Sequence, residues 1–145
     1  MVETEKGVII VAYKEVRRNQ RFLILKRTKN WEGWELPKGH LEKNDHKQTV
    51  KIELNEEAGI PKNKIKNIKD LEKHTEWTYE RNNTEYQKKY KQFLVEVEED
   101  CRINTNNNPD EEHEQGLFLN YKDAKSLLTY ENNKKFLEEA KEQIH

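Results

Sequence analysis

Cysteine is nearly absent from this chain: Cys101 is the single thiol among 145 residues, which rules out an internal disulfide and a cysteine-rich zinc site. No apolar run approaches the roughly 20 residues of a transmembrane helix, and no signal-peptide pattern is visible. The expectation is a cytoplasmic protein with no use for a membrane. A dominant charge is missing too. With 27 basic and 28 acidic residues the formal charge is -1, so the surface as a whole attracts neither nucleic acid nor anionic lipid, and a polyanion has to be bound locally. Hydrophobic residues are only 32% of the chain, yet a chain this long still buries a substantial core, and one domain over residues 1–145 is expected. His40, His46, His74, His113 and His145 lack zinc-binding spacing and read as surface or hydrogen-bonding residues, and Cys101 as a packed thiol.

What the chain has in abundance is charge, 38% of its residues, and residues 39–60 use it most informatively. A glycine loop leads into a predicted helix bearing Glu53, Glu56 and Glu57. Residues three and four apart are neighbours on a helix, so these carboxylates share one face and repel one another unless a cation joins them. Val50, Leu54 and Ala58 form an adjacent apolar stripe that packs on a core, and Gly59 is placed to stop the helix. Hard oxygen ligands on a rigid element suit Mg²⁺, with Mn²⁺ as an alternative, and point to phosphate chemistry. A Glu-Glu pair alone is weak in so charged a chain, where it is usually a solvated face.

The ordered combination is more specific. Leu36-Pro37-Lys38-Gly39-His40, a helix-length gap, and Glu53-Leu54-Asn55-Glu56-Glu57-Ala58-Gly59-Ile60 resemble the box of the Nudix hydrolases, whose second half reads Glu-U-x-Glu-Glu-x-Gly-U with U a bulky aliphatic residue. The middle departs from that pattern. Ile52 stands where the family has arginine, the gap from Gly39 to Glu53 is one residue short, and Asn44 or Asp45 takes the place of the first glutamate. A shortened loop with Asp45 capping the helix near His46 is the expected repair.

The resemblance implies an α/β/α sandwich with a mixed sheet. The pattern agrees, with strands at Gly7 to Tyr13 and Arg21 to Lys26 forming a hairpin, and a second long pair at Leu71 to Glu80 and Thr84 to Glu98 turning at Arg81-Asn82-Asn83. A loop is expected over Arg102 to Glu112, then a short strand over Gly116 to Leu119 and helices over Tyr121 to Leu128 and Glu131 to Gln143. Pattern alone leaves the sheet topology open.

Most of the chain is similar to the asymmetric diadenosine-tetraphosphate hydrolases of that family. The likeness implies metal ligation by Glu53, Glu56, Glu57 and the Gly39 carbonyl, with Glu112 of the Asp110-Glu111-Glu112-His113-Glu114 run as a fourth carboxylate. Glu53, Glu57 and Glu112 are the catalytic candidates, with Glu57 or Glu112 as the base that takes a proton from water. Arg27, Lys38, His40 and Lys88 are candidates for substrate phosphates. Tyr90, which alternation places on one face with Lys88 and Gln92, is a candidate for stacking a base or else for packing on the sheet. Trp31, Trp34 and Trp77 carry no individual assignment. The implied reaction is hydrolysis of a phosphoanhydride in a nucleoside diphosphate linked to another moiety, with diadenosine tetraphosphate cleaved to ATP and AMP. Diphosphoinositol polyphosphates, nucleoside triphosphates and an RNA 5′ end are alternative substrates, nucleic acid otherwise being no partner. A nucleotide-binding domain with weakened catalysis is the non-enzymatic alternative that Ile52 suggests.

Overall fold

The computed structural model describes residues 2 to 105 and 113 to 144. Its centre is β1 (Val2–Val16), where Val8 to Ala12 form a continuous apolar run because both faces of this strand are covered. Val8, Ile10 and Ala12 point to one side with Leu23, Leu25, Phe93 and Val95; Ile9, Val11 and Tyr13 point to the other with Phe22, Ile24, Tyr90 and Leu94. Helix α1 (His46–Ala58) covers the first side through Val50, Leu54 and Ala58. Helices α2 (Tyr121–Leu127) and α3 (Glu131–Lys141) cover the second through Ala124, Phe136, Leu137 and Ala140. This is the expected α/β/α sandwich. Burying each of these large aliphatic or aromatic side chains contributes about 1.5–3 kcal/mol, and Cys101 packs among them as a buried thiol.

The sheet also contains β2 (Asn19–Arg27), β3 (Gly33–Glu35), β4 (Lys38–His40), β5 (Ile65–Arg81), β6 (Thr84–Val97) and β7 (His113–Leu119). The order is β3-β2-β1-β6-β5, with β4 on β1 and β7 on β2. It is mixed because β1 and β6 run parallel, from Val2 opposite Glu85 to Tyr13 opposite Glu96, while the other pairs are antiparallel. Both expected hairpins form. Arg17-Arg18 and Asn82-Asn83 make their two-residue turns, each residue with positive φ, as the twist of a tight hairpin requires.

Three features differ from the expectation. β1 and β5 begin five and six residues before their apolar patterns do, because polar strand ends are carried by cross-strand pairing and not by burial. The three-residue strands β3 and β4 are too short for any periodicity. The last strand starts at His113, three residues early, which brings the His113 side chain into the interior.

Candidate active site

The glycine loop is assembled on β1. Gly39 pairs with Val8, Ile10 N donates to the Pro37 carbonyl at 2.9 Å, and Leu41 N donates to the Lys6 carbonyl at 3.0 Å. The chain then turns through Lys43 and Asn44, both with positive φ, so that Asp45 N reaches the Glu42 carbonyl at 3.1 Å. Asp45 is the N-cap of α1, its Oδ1 accepting from Gln48 N at 3.0 Å. Thr49, fully buried, ties loop to helix: its Oγ1 accepts from Glu42 N at 2.9 Å and lies 2.7 Å from the Asp45 carbonyl, to which it donates. Two left-handed residues and an aspartate cap therefore absorb the missing residue. At the other end Gly59 closes the helix at φ 67, its N–H on the Asn55 carbonyl, a conformation that disfavours any side chain.

With α1 so placed, Glu53 and Glu57 meet β4. A Cβ at Gly39 would overlap the Glu53 carboxylate, so only glycine lets that group lie against the loop backbone. Glu57 is buried and its Oε1 accepts from Lys38 N at 3.1 Å. Glu56 stands at the other edge of this face, half-buried, lining a shallow depression with Gln48, Lys51, Ile52, Asn55 and Lys62. Glu112 lies outside the described residues. Two carboxylates against the backbone of the glycine loop offer hard, anionic oxygen donors of the kind that suits Mg²⁺.

The structure adds a residue that the sequence did not single out. Glu35, 1% exposed, ends β3 and gathers three cationic or protic groups: His113 Nε2 at 2.9 Å and Arg27 Nη1 at 3.3 Å on Oε1, and Lys38 Nζ at 3.1 Å on Oε2. Burial alone would push this carboxyl up; the hydrogen bond from His113 and the charges of Lys38 and Arg27 outweigh it and hold it at about 2. An ionised carboxylate only accepts, so His113 Nε2 carries the proton. His113 Nδ1 lies 3.2 Å from Glu57 Oε2. Among the described residues, Glu35, Glu57 and His113 have donor atoms within 4.8 Å of one another, close enough to share a metal ion. Arg27 and Lys38 on the same carboxylate would repel a dication there, so we read the trio as a charge network whose outward member is Glu57. The only sequence cue to Glu35 is an acid between Trp34 and Leu36, one residue before Pro37.

Beside this network opens a cavity of about 730 Å³ lined by Trp31, Trp77, Tyr79 and Tyr130 together with Arg27, Lys38 and Lys88. Its cations sit over aromatic rings: Arg27 5.6 Å from the centre of Trp31, Lys38 5.5 Å from Trp77, and Lys88 5.6 Å from Tyr79. The start of α3 forms one wall because its lead-in is docked on β3, with Trp34 N donating to Thr129 Oγ1 at 2.8 Å and Leu36 N to Asn133 Oδ1 at 2.9 Å. Lys88 Nζ lies 2.8 Å from Glu5 Oε2, 3.3 Å from the Tyr90 hydroxyl and 3.5 Å from His40 Nε2. Burial is the largest single influence and opposes its charge, but Glu5 and Tyr90 together outweigh it and raise its pKa.

For Tyr90 the structure corrects the stacking expectation. Its ring is 1% exposed, set against Trp77 at 5.1 Å and His40 at 6.2 Å, so neither face is open to a base, and it packs on the sheet as the alternative had it. Accessible aromatic surface is supplied instead by the exposed Tyr130 and the half-buried Trp31, which meet edge to face at 5.1 Å.

An acidic helix edge on a glycine loop, next to a cationic aromatic cavity in an α/β/α sandwich, has the chemistry that a divalent metal and a phosphate ligand call for. Residues 4–140 match the NUDIX domain, and the chain belongs to the Nudix family. None of the curated proteins matches it. Among solved structures it is similar to the C. elegans Ap4A hydrolase in a binary complex, at 23% identity over 96% of each chain with a TM-score of 0.69. It is also similar to the NUDIX domain of Shewanella oneidensis NrtR complexed with ADP ribose, at 14% identity over 98% of this chain and 89% of that one, TM-score 0.73. The E. coli dihydroneopterin triphosphate pyrophosphohydrolase aligns at 18% identity over 94% and 96%, TM-score 0.69. Identities this low establish the fold and not the substrate. Among the described residues no helix is long and apolar enough to cross a membrane.

Proposed function

We propose that this Nudix domain is a divalent-metal-dependent, cytoplasmic pyrophosphohydrolase that cleaves diadenosine tetraphosphate asymmetrically to ATP and AMP. The observation that carries this reading is the cavity beside Glu53, Glu57 and Gly39, which offers aromatic surface for a base and Arg27, Lys38 and Lys88 for a chain of phosphates. The likeness to the C. elegans Ap4A hydrolase supports it. Glu53, Glu57 and the Gly39 carbonyl would hold the metal, with Glu56 and Glu112 completing the set. A bound divalent cation supplies charge neutralisation at the phosphates and a more acidic water. Glu57 or Glu112 takes the proton from the attacking water, and Lys38, Arg27, His40 and Lys88 bind phosphate oxygens as charge builds on the leaving group. Tyr90 orients Lys88 through its hydroxyl.

The test is a substrate panel with Mg²⁺ and with Mn²⁺: diadenosine tetraphosphate, ADP-ribose, a nucleoside triphosphate, capped RNA and a diphosphoinositol polyphosphate, with products resolved by chromatography. ATP and AMP in equal amounts are expected. ADP as the only nucleotide product, or clear preference for an inositol pyrophosphate, overturns the substrate. Glu57→Gln should lower turnover by orders of magnitude and leave the circular dichroism spectrum unchanged; near-parental turnover in that folded variant overturns the site. A second reading, a nucleotide-binding domain with weakened catalysis, rests on Ile52 and is distinguished by binding without turnover of any panel member.

A further inference from the structure

We infer that Glu35 is the positioning residue of this cleft: its buried carboxylate fixes Arg27 and Lys38 at the cavity wall, where they meet the phosphates of the substrate. The inference deepens the proposed function and rests on its placing phosphates in that cavity. Arginine and lysine side chains are long and lose much rotamer freedom when immobilised, so cations left loose at a wall bind a polyanion at an entropic cost. Here that cost is met in folding. Glu35 divides its two oxygens, Oε1 taking Arg27 and Oε2 taking Lys38, so the two cations sit at a separation set by one rigid group. The group itself cannot wander: its backbone is in the sheet opposite Leu25, and His113 from β7 holds Oε1 from a third direction. The side chains of Arg27 and Lys38 are only 13% and 26% exposed, so water screens the arrangement poorly.

Both cations are also held over aromatic rings of the cavity, Arg27 over Trp31 and Lys38 over Trp77, which further fixes where they stand relative to an incoming phosphate chain. With its pKa held at about 2, Glu35 is ionised at neutral pH and can pair with both cations.

Glu35→Gln keeps the shape and removes the charge. Binding of inorganic tripolyphosphate to the full chain, measured by titration calorimetry, should weaken about fivefold to tenfold, and KM for diadenosine tetraphosphate should rise by a similar factor while kcat changes less, because an interaction present before and during the reaction acts on binding. Glu35→Asp, which keeps the charge one methylene short, should recover part of the loss. Unchanged or tighter tripolyphosphate binding in the folded Gln variant overturns the inference, the second case showing that Glu35 competes with phosphate for the cations. Where Glu35→Gln does not fold, the same titration on Glu35→Asp decides, and parental affinity there overturns it. If the parent binds tripolyphosphate but does not cleave the dinucleotide, the substrate reading fails and Glu35 is still tested; if it does not bind tripolyphosphate, the positioning role falls whatever the enzyme cleaves.

Discussion

Replacing Asp45 by alanine tests how the chain accommodates a glycine loop one residue shorter than its family's. The side chain makes one capping bond, Oδ1 to Gln48 N at 3.0 Å, and it is exposed. The backbone bond from Thr49 N to the Asp45 carbonyl at 3.0 Å survives the substitution, so the loss is confined to the cap and its charge. Loss of an N-cap costs about 0.5–2 kcal/mol, and an exposed single bond belongs near 1. No other acidic side chain occupies the first turn, so a further few tenths of a kcal/mol come from the helix dipole. At roughly 3 °C per kcal/mol for a chain of this size, the melting temperature should fall by about 3–4 °C. Asp45→Asn keeps the acceptor and loses only the charge, so it should recover most of that loss. Urea and thermal unfolding followed by circular dichroism measure both. Parental stability in Asp45→Ala, or equal losses in the two variants, refutes the cap. The companion change Ile52→Arg should leave turnover within about twofold, since Asp45 already caps the helix and the shallow depression around Ile52 holds Lys51 and Lys62 as well as Glu56. A tenfold gain, only about 1.4 kcal/mol of barrier, would mean that Glu53 is poorly held without the family's arginine.

Two other outcomes follow from single atoms. Thr49→Val keeps the volume of a fully buried side chain but leaves Glu42 N without its acceptor, which should cost about 1–3 kcal/mol and show as a drop in urea midpoint at unchanged slope; no drop would mean that water replaces the hydroxyl. Acid stability should carry the signature of Glu35: its folded pKa, about 2, lies below its ordinary 4.5, so its contribution is present above pH 4.5 and is lost as pH falls from there towards 2, to the extent of about 3 kcal/mol. Unfolding titrations between those pH values should show that loss in the parent and not in Glu35→Gln.

Where burial follows a period, the fold was legible. Val8 to Ala12, Phe22 to Leu25 and the stripe of Val50, Leu54 and Ala58 are hydrophobic at the positions the structure buries, and helix ends fell where Asp45, Gly59 and Asn120 act as caps. The early halves of β1 and β5 were not legible. Most of their residues are polar and gain stability from partners across the sheet, such as Asp70 with Lys91 at 2.8 Å and Glu5 with Lys88 at 2.8 Å. Such pairs exist only once the register does, and the parallel register of β1 on β6 is a long-range fact that no local window contains.

The site divides along the same line. Glu53, Glu57 and Gly39 come from one contiguous stretch whose spacing has meaning by itself, whereas the environment of Glu35 is built from β2, β4 and β7 and exists only after folding. That difference also separates the cations of the cleft. Lys88 is as buried as Arg27 and Lys38, but its partner Glu5 is 27% exposed and can turn to water, so in the proposed reading a phosphate can replace Glu5 at smaller cost. Arg27 and Lys38 answer to a carboxylate that is 1% exposed and would be left uncompensated by their departure, a loss of several kcal/mol. On that reading a polyphosphate adds to the Arg27–Glu35–Lys38 arrangement and does not displace it, while it exchanges with Glu5 at Lys88. One end of the cleft is thus fixed and the other adjustable, which suits a substrate whose metal-bound phosphates must be held in register while the rest of the chain is accommodated.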